Sequence, residues 1–215
     1  MVDVKICGLS TLETIDAAIY AGADLVGLVF YPRSPRHVSV LRAKTLAGHA
    51  RGRAKIVALI VDADDEALQA INEIVGPDMY QAHGSEIPQR VLEIRKLTAK
   101  PVIKAIKVGE MADVAKAADY AGKASLILYD AKAPETLVNA LPGGNGLAFD
   151  WNLLGSLRQT EGFILSGGLN PDNVARAIQV TGAPIVDVSS GVEKAPGKKD
   201  FGLIRKFIEA AKSAR

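Results

Sequence analysis

Eight short runs rich in Val, Ile and Leu punctuate this chain, at 4–7, 25–30, 54–61, 79–82, 102–106, 126–129, 163–165 and 185–188. Several carry almost no polar alternation, the pattern of strands buried on both faces of a parallel sheet. Helix-length segments lie between them, among them 11–21, 65–74, 87–97 and 111–121. Parallel neighbours need a crossover connection, usually a helix, so the alternation predicts repeated strand–helix units. Ser10 and Glu13 stand at capping-box spacing at the head of the first helix, and Gly22 and Gly122 follow helices as C-cap glycines.

The pattern also repeats within itself. Gly8, Leu9, Ala17, Gly22, Ala23 and Val26 recur as Gly168, Leu169, Ala177, Gly182, Ala183 and Val186, all at an offset of 160. That is the relation expected of units one and seven of a closed repeat. An open doubly wound sheet is the alternative, and it would place a Gly-rich fingerprint after its first strand. Cys7-Gly8-Leu9-Ser10 supplies none. A length of 215 residues is at the short end for an eightfold barrel. The expectation is an α/β chain folded as one (β/α)8 TIM barrel, a single domain over 1–215.

Two consecutive strands end in small residues that expose backbone amides, Ser166-Gly167-Gly168 and Ser189-Ser190-Gly191. Asn170 and Pro171 then read as the N-cap and first position of a helix running to Val180. Amide-rich loops and a helix N-terminus attract anions, and the loops after strands 7 and 8 of such barrels are where a phosphate often sits. Gly167, Gly168, Ser190 and Gly191 are therefore the candidate phosphate site. Two ordinary strand-to-helix turns would use glycine in the same places. Two longer departures from regular spacing occur: the basic loop Tyr31-Pro32-Arg33-Ser34-Pro35-Arg36-His37, and an excursion over 130–151 containing Pro142-Gly143-Gly144-Asn145-Gly146. Both follow strand carboxyl ends, and loops of this length tend to be lids or binding elements.

Cys7 ends the first strand and Asp130 the sixth. On alternation Lys5 and Cys7 share one face, as do Leu126, Leu128 and Asp130. If both faces point inward, a thiol and a carboxyl look across the barrel mouth as candidate base and acid. Cations such as Lys5 would lower the thiol pKa. A cysteine at a strand end is also a small buried hydrophobe, and an Asp there also a turn residue. Arg36 suits bidentate capture of a carboxylate, or else is a solvated loop arginine. Asp187 either receives a ligand hydroxyl or pairs with a buried lysine. Lys104, inside an apolar run, must lie inward beside a carboxylate or outward against solvent. His83 reads as packing or hydrogen-bonding locally.

Several classes of function find no support. Lys plus Arg exceeds Asp plus Glu by 26 to 24, which leaves no basic footprint for nucleic acid. No apolar run is long enough to cross a bilayer, and Met1-Val2-Asp3 leads into a strand rather than a signal peptide. One cysteine allows no intrachain disulfide, so a cytoplasmic location is expected. The three histidines show no metal-ligand spacing, and no Walker loop or serine elbow is present.

Taken together, VKICGLS at 4–10, GADLVGLVFYPRSPRHV at 22–38, DMYQAHG at 78–84, LYDAK at 128–132, FDW at 149–151, LSGGLNPDNV at 165–174 and VDVSSGVEKAPGKKD at 186–200 resemble the phosphoribosylanthranilate isomerase family of tryptophan biosynthesis. The resemblance spans essentially the whole chain. It implies an Amadori rearrangement of a phosphosugar substrate on a (β/α)8 barrel, with no cofactor and no metal. It also implies that Asp130 is the general acid and Cys7 the general base. Arg36 matches the residue that holds the anthranilate carboxylate, Asp187 a ligand-contacting position, and Gly167, Gly168, Ser190 and Gly191 the phosphate loops. It leaves the oligomeric state open. Two departures stand out. Leu147 replaces a polar residue in the sixth loop, and Ala82 replaces a larger aliphatic residue, an expected source of extra room near strand 4. Two alternatives remain. A related aldose–ketose isomerase of the histidine pathway would carry Asp where Cys7 stands, and a non-catalytic phosphosugar-binding barrel would accommodate Leu147.

Overall fold

The computed structural model describes residues 1–133, 142–159 and 162–214. Its centre is a closed barrel of eight parallel strands in sequence order, β1 (Asp3–Cys7), β2 (Leu25–Val29), β3 (Lys55–Ile60), β4 (Met79–Ala82), β5 (Val102–Val108), β6 (Leu126–Ala131), β7 (Phe163–Leu165) and β8 (Ile185–Val188). Closure is completed by β1 pairing β8, with Lys5 opposite Asp187. The expected (β/α)8 barrel is therefore what the chain forms. The eight expected runs all become strands, with ends displaced by at most a few residues.

Two apolar layers hold the sheet. Inside the barrel Leu25, Val57, Ile103, Ala105, Leu128 and Ile164 pack together. Outside, residues of opposite parity, such as Val4, Ile6, Val26, Ala58, Val102 and Val186, meet the helices. The helices are α1 (Leu12–Ala21), α2 (Val40–Ala50), α3 (Asp65–Ile74), α4 (Pro88–Thr98), α5 (Met111–Ala115), α6 (Val174–Thr181) and α7 (Phe201–Lys212). Two of the crossovers contain 3-10 turns, Lys116–Tyr120 after α5 and Trp151–Gln159 before β7.

The repeat at offset 160 is structural. Gly8 and Gly168 both have positive φ, 77° and 63°, and Gly22 and Gly182 are both left-handed C-caps. Several local expectations shift. Thr11, not Ser10, caps α1, and its capping-box partner is Thr14. The helix expected from Asn170 begins only at Val174. Asn170 Oδ1 instead accepts from the amides of Asp172 and Asn173, at 2.9 and 3.1 Å, closing an Asx turn before the helix. Gly122 lies beyond a 3-10 turn capped by Ala121 rather than directly after an α-helix. An antiparallel hairpin, β9 (Glu193–Ala195) with β10 (Lys198–Lys199), follows β8, outside the eight apolar runs. Of the excursion over 130–151, residues 134–141 lie outside the described residues.

Candidate active site

The carboxyl ends of the strands open into a cavity of about 760 Å³, open to solvent, and its lining brings together Cys7, Arg36, Asp130, Gly167, Gly168, Asp187 and Ser190. Of the residues expected from sequence as acid, base, carboxylate or hydroxyl contact and phosphate loops, Gly191 alone is not on that lining, and it sits beside it. A Cβ there would come within 1.9 Å of the Leu169 carbonyl oxygen, so the loops after β7 and β8 touch at a point that admits no side chain. Gly168 is equally constrained from the other side, since a Cβ would lie 2.6 Å from the Leu147 carbonyl. The two small-residue loops and the end of the sixth loop thus form one continuous rim.

One wall of the cavity is charged. Lys5 and Cys7 both point inward from β1, and Lys5, fully buried, donates to Asp187 Oδ1 at 2.9 Å. Of its two readings, Asp187 takes the pairing with a buried lysine, while remaining on the cavity lining. Both the Cys7 Sγ and the Lys5 Nζ lie close to Gly27, 2.8 and 3.2 Å from where its Cβ would be. Burial pushes the Cys7 thiol up; Lys5 and Lys199 pull it back, Asp187 adds to the rise, and the balance stays above the ordinary value. The expectation that nearby cations hold this thiol low is corrected, because desolvation of the anion outweighs them. For Lys5 burial works downward, but Asp187 and Cys7 outweigh it, so its ammonium is held above the usual lysine value.

The opposite wall is a hydrogen-bond relay. Asp130, almost fully buried, lies 3.1 Å from His83 Nε2, and His83 Nδ1 lies 2.7 Å from Gln81 Nε2. The Asp130 Oδ1 accepts from the Ala131 amide at 3.0 Å. Two proton arrangements fit this line. With the Gln81 amide donating to Nδ1, His83 donates to an Asp130 carboxylate. With the amide turned over, Gln81 accepts from Nδ1–H and Nε2 accepts from a protonated Asp130. In the first arrangement Gln81 Oε1 is buried with no hydrogen-bond partner among the described residues, and the second gives that oxygen one. His83 therefore bonds locally, as expected, but to the candidate acid itself. The sequence signal was parity: Gln81 and His83 share the face of β4 that looks into the barrel.

Arg36 is buried rather than solvated. Its Nε and Nη2 donate to Glu193 Oε1 and Oε2 at 2.8 and 2.9 Å, and Nη2 also reaches the Gly144 carbonyl at 3.3 Å. The sixth loop closes over this relay and over Arg36: a Cβ on Gly143 would lie 2.5 Å from His83 Nε2 and 2.8 Å from Asp130 Oδ2, and one on Gly144 2.7 Å from Arg36 Nη1. Leu147 lies on the lining beside it. Ala82 does not open space in the site. It faces the helix layer beside Lys104, its partner on β5, and so leaves the cavity unchanged. Lys104 also takes a course not foreseen, outward yet buried, with its Nζ 2.8 Å from Glu86 Oε2. Among the described residues no group of three or more His, Cys, Asp or Glu could hold a metal ion. No described helix is long and apolar enough to cross a membrane.

The arrangement offers a proton donor and a proton acceptor facing one cavity, an amide-lined rim suited to a phosphate, and a guanidinium suited to a carboxylate. A family model for N-(5′-phosphoribosyl)anthranilate (PRA) isomerase matches residues 4–210. The N-(5′-phosphoribosyl)anthranilate isomerase of Rhodopseudomonas palustris (strain BisA53) is 56% identical over 211 residues, covering 98% of this chain and 96% of that protein. Among solved structures, the phosphoribosyl anthranilate isomerase of Thermotoga maritima superposes with a TM-score of 0.86 at 38% identity, covering 99% of each chain. A phosphoribosyl anthranilate isomerase in complex with reduced 1-(o-carboxyphenylamino)-1-deoxyribulose 5-phosphate superposes with a TM-score of 0.85 at 36% identity, again over 99% of each chain.

Proposed function

Since the chain belongs to the N-(5′-phosphoribosyl)anthranilate isomerase family, we propose that Asp130 and Cys7 are the acid and base of its reaction. That reaction is the aldose–ketose Amadori rearrangement of N-(5′-phosphoribosyl)anthranilate to 1-(2-carboxyphenylamino)-1-deoxyribulose 5-phosphate in tryptophan biosynthesis. The observation that carries the assignment is the shared cavity, which the thiol and the carboxyl line together with the small-residue loops and Arg36.

The sugar phosphate binds at the amides of Gly167, Gly168, Ser190 and Gly191, and the anthranilate carboxylate at Arg36. Two anionic handles at opposite ends fix the ribose between acid and base, so remote binding supplies orientation at the reacting carbons. Asp130 delivers its proton to the ring oxygen as the nitrogen lone pair opens the ring, leaving an iminium. The turned-over Gln81 amide is the arrangement that keeps that proton on Asp130. The thiolate of Cys7 then removes the C2′ proton, and the electron pair neutralises the iminium nitrogen to give the enolamine, which tautomerises to the ketone. A cationic iminium and the Lys5 ammonium both favour the thiolate when it is needed. Asp187 holds Lys5 and is within reach of a sugar hydroxyl.

These groups come from β1, β4, β6 and β8 and from the loops after β2, β7 and β8, so the barrel over 1–215 acts as one functional unit. A catalytic thiol also suits a reducing compartment, which favours the cytoplasm. The test follows conversion of phosphoribosylanthranilate by Cys7→Ala and Asp130→Asn variants. Each should lose about 10²- to 10⁴-fold in kcat while still binding the reduced product analogue. Near-normal turnover in either variant removes that residue from its role.

A further inference from the structure

Arg36 is held from behind by a single carboxylate. The side chain of Glu193 is only 4% exposed, yet it collects four donors: Nε and Nη2 of Arg36, Lys199 Nζ at 2.8 Å and the Gly197 amide at 3.2 Å. Burial works against its charge, but Arg36 and Lys199 outweigh that and hold the carboxyl below the usual glutamate value. The bidentate contact uses the Nε–Nη2 edge of the guanidinium. It leaves Nη1 with no protein partner among the described residues, on a side chain that lines the cavity.

The hairpin that carries Glu193 is clamped in place. A Cβ on Gly197 would lie 2.5 Å from the Pro35 carbonyl oxygen, so the turn of the hairpin presses on the loop that carries Arg36. At its other end Lys199 Nζ donates to the Ser189 carbonyl at 2.8 Å and approaches Ser189 Oγ at 3.3 Å. Ser189 Oγ in turn donates to the Cys7 carbonyl at 3.2 Å. With Nε and Nη2 committed to Glu193 and the Gly144 carbonyl, the guanidinium plane is fixed, so Nη1 is the donor preorganised for a carboxylate before substrate arrives.

We propose that Glu193 is a positioning residue that sets the Arg36 guanidinium for the aromatic carboxylate of the substrate, with Lys199 holding Glu193 against the phosphate-loop backbone. This deepens the reading of Arg36 given above and rests on it. Free of that orientation, Arg36 would still carry charge but would lose the fixed Nη1 donor that distinguishes a carboxylated ring from a bare one.

The experiment compares two ligands on each variant by calorimetry: the reduced product analogue, and the same compound built on aniline, which lacks the ring carboxylate. In wild type the carboxylate gives a binding preference. Glu193→Gln keeps the size of the side chain but removes the charge, and should cut that preference about 10- to 100-fold, the worth of a charge-assisted contact. Affinity for the aniline compound should change less than about threefold, which a general loss of structure would not allow. An unchanged preference in folded Glu193→Gln overturns the positioning role. If that variant does not fold, Glu193→Asp, which keeps the charge and withdraws it by one methylene, decides by the same two criteria. Arg36→Met separates the two layers of the argument. A full preference in Arg36→Met would remove the carboxylate role of Arg36 and this proposal with it. A preference lost in Arg36→Met but intact in Glu193→Gln would overturn the positioning role alone.

Discussion

Lys5 with Asp187 and Lys104 with Glu86 are the same chemical pair built twice, on opposite faces of one sheet. Each ammonium sits within 3 Å of a buried carboxylate oxygen, at 2.9 and 2.8 Å. What differs is how completely each charge is answered. Lys104 Nζ also donates to the carbonyls of Gly84 and Ala82 and lies 5.9 Å from the Tyr120 ring centroid. Glu86 in turn accepts from the amides of Asp62 and Gly84. Among the described residues Lys5 donates to one oxygen, and the rest of its field falls on the Cys7 sulfur. A buried pair whose donors and acceptors are all used ties elements together. One left partly unanswered keeps its field available for chemistry.

The largest separation between the two should appear on truncating the lysines. Lys5→Met removes the cation that opposes burial of the thiolate and leaves Asp187 beside it, raising the cost of Cys7 ionisation further. Because the base then ionises less readily, kcat/KM near neutral pH should fall by about 100-fold, the low end of what general-base catalysis contributes. Lys104→Met should leave kcat/KM of the folded enzyme within about threefold, because the pair lies behind the sheet from the cavity. Equal losses in both variants would break the distinction.

Stability should report the next effect, in the opposite direction. Glu86→Ala strands the Lys104 ammonium and two backbone amides, and should cost about 3–5 kcal/mol in urea unfolding, with turnover per folded molecule retained. Removing both charges should cost much less. Lys104→Met with Glu86→Gln keeps an acceptor near the Asp62 and Gly84 amides, and should fall within about 1–2 kcal/mol of wild type. A double variant as unstable as Glu86→Ala would mean that the charges themselves hold this corner together.

The two pairs were unequally legible in the sequence. The eight apolar runs and the glycine-ended loops follow from local composition, so the barrel and its phosphate rim could be read directly. Parity within β1 put Lys5 on the Cys7 face, and an acid on β8 was available to meet it. Lys104 was recognisably out of place in an apolar run. Its partner comes from the loop after β4, and strand periodicity carries no information about where a loop side chain turns. Glu193 was hidden for a similar reason: a hairpin of three- and two-residue strands leaves little periodic signal. The balance of effects at Cys7 was beyond sequence altogether. Spacing brings a lysine near a thiol, but only the depth of burial decides whether that lysine or desolvation prevails.

That balance gives the subtlest expected effect, seen against pH. The folded Cys7 pKa lies above its ordinary value of about 8.5, so more thiolate, and a faster proton abstraction, should appear as pH rises through the alkaline range. Stability should move the other way. A group with a raised folded pKa contributes stability that is complete below its unfolded pKa and is lost as pH climbs towards the folded one. The Lys5 shift has the same sign and acts at higher pH still. As pH rises above about 8.5, wild type should therefore gain kcat/KM while losing a small part of its unfolding free energy. Cys7→Ala should flatten the stability slope in that window, and Lys104→Met should leave the rate profile where it was. A rate profile that instead plateaus below about pH 7 would mean that the unliganded thiol is already ionised, so that Lys5 outweighs desolvation.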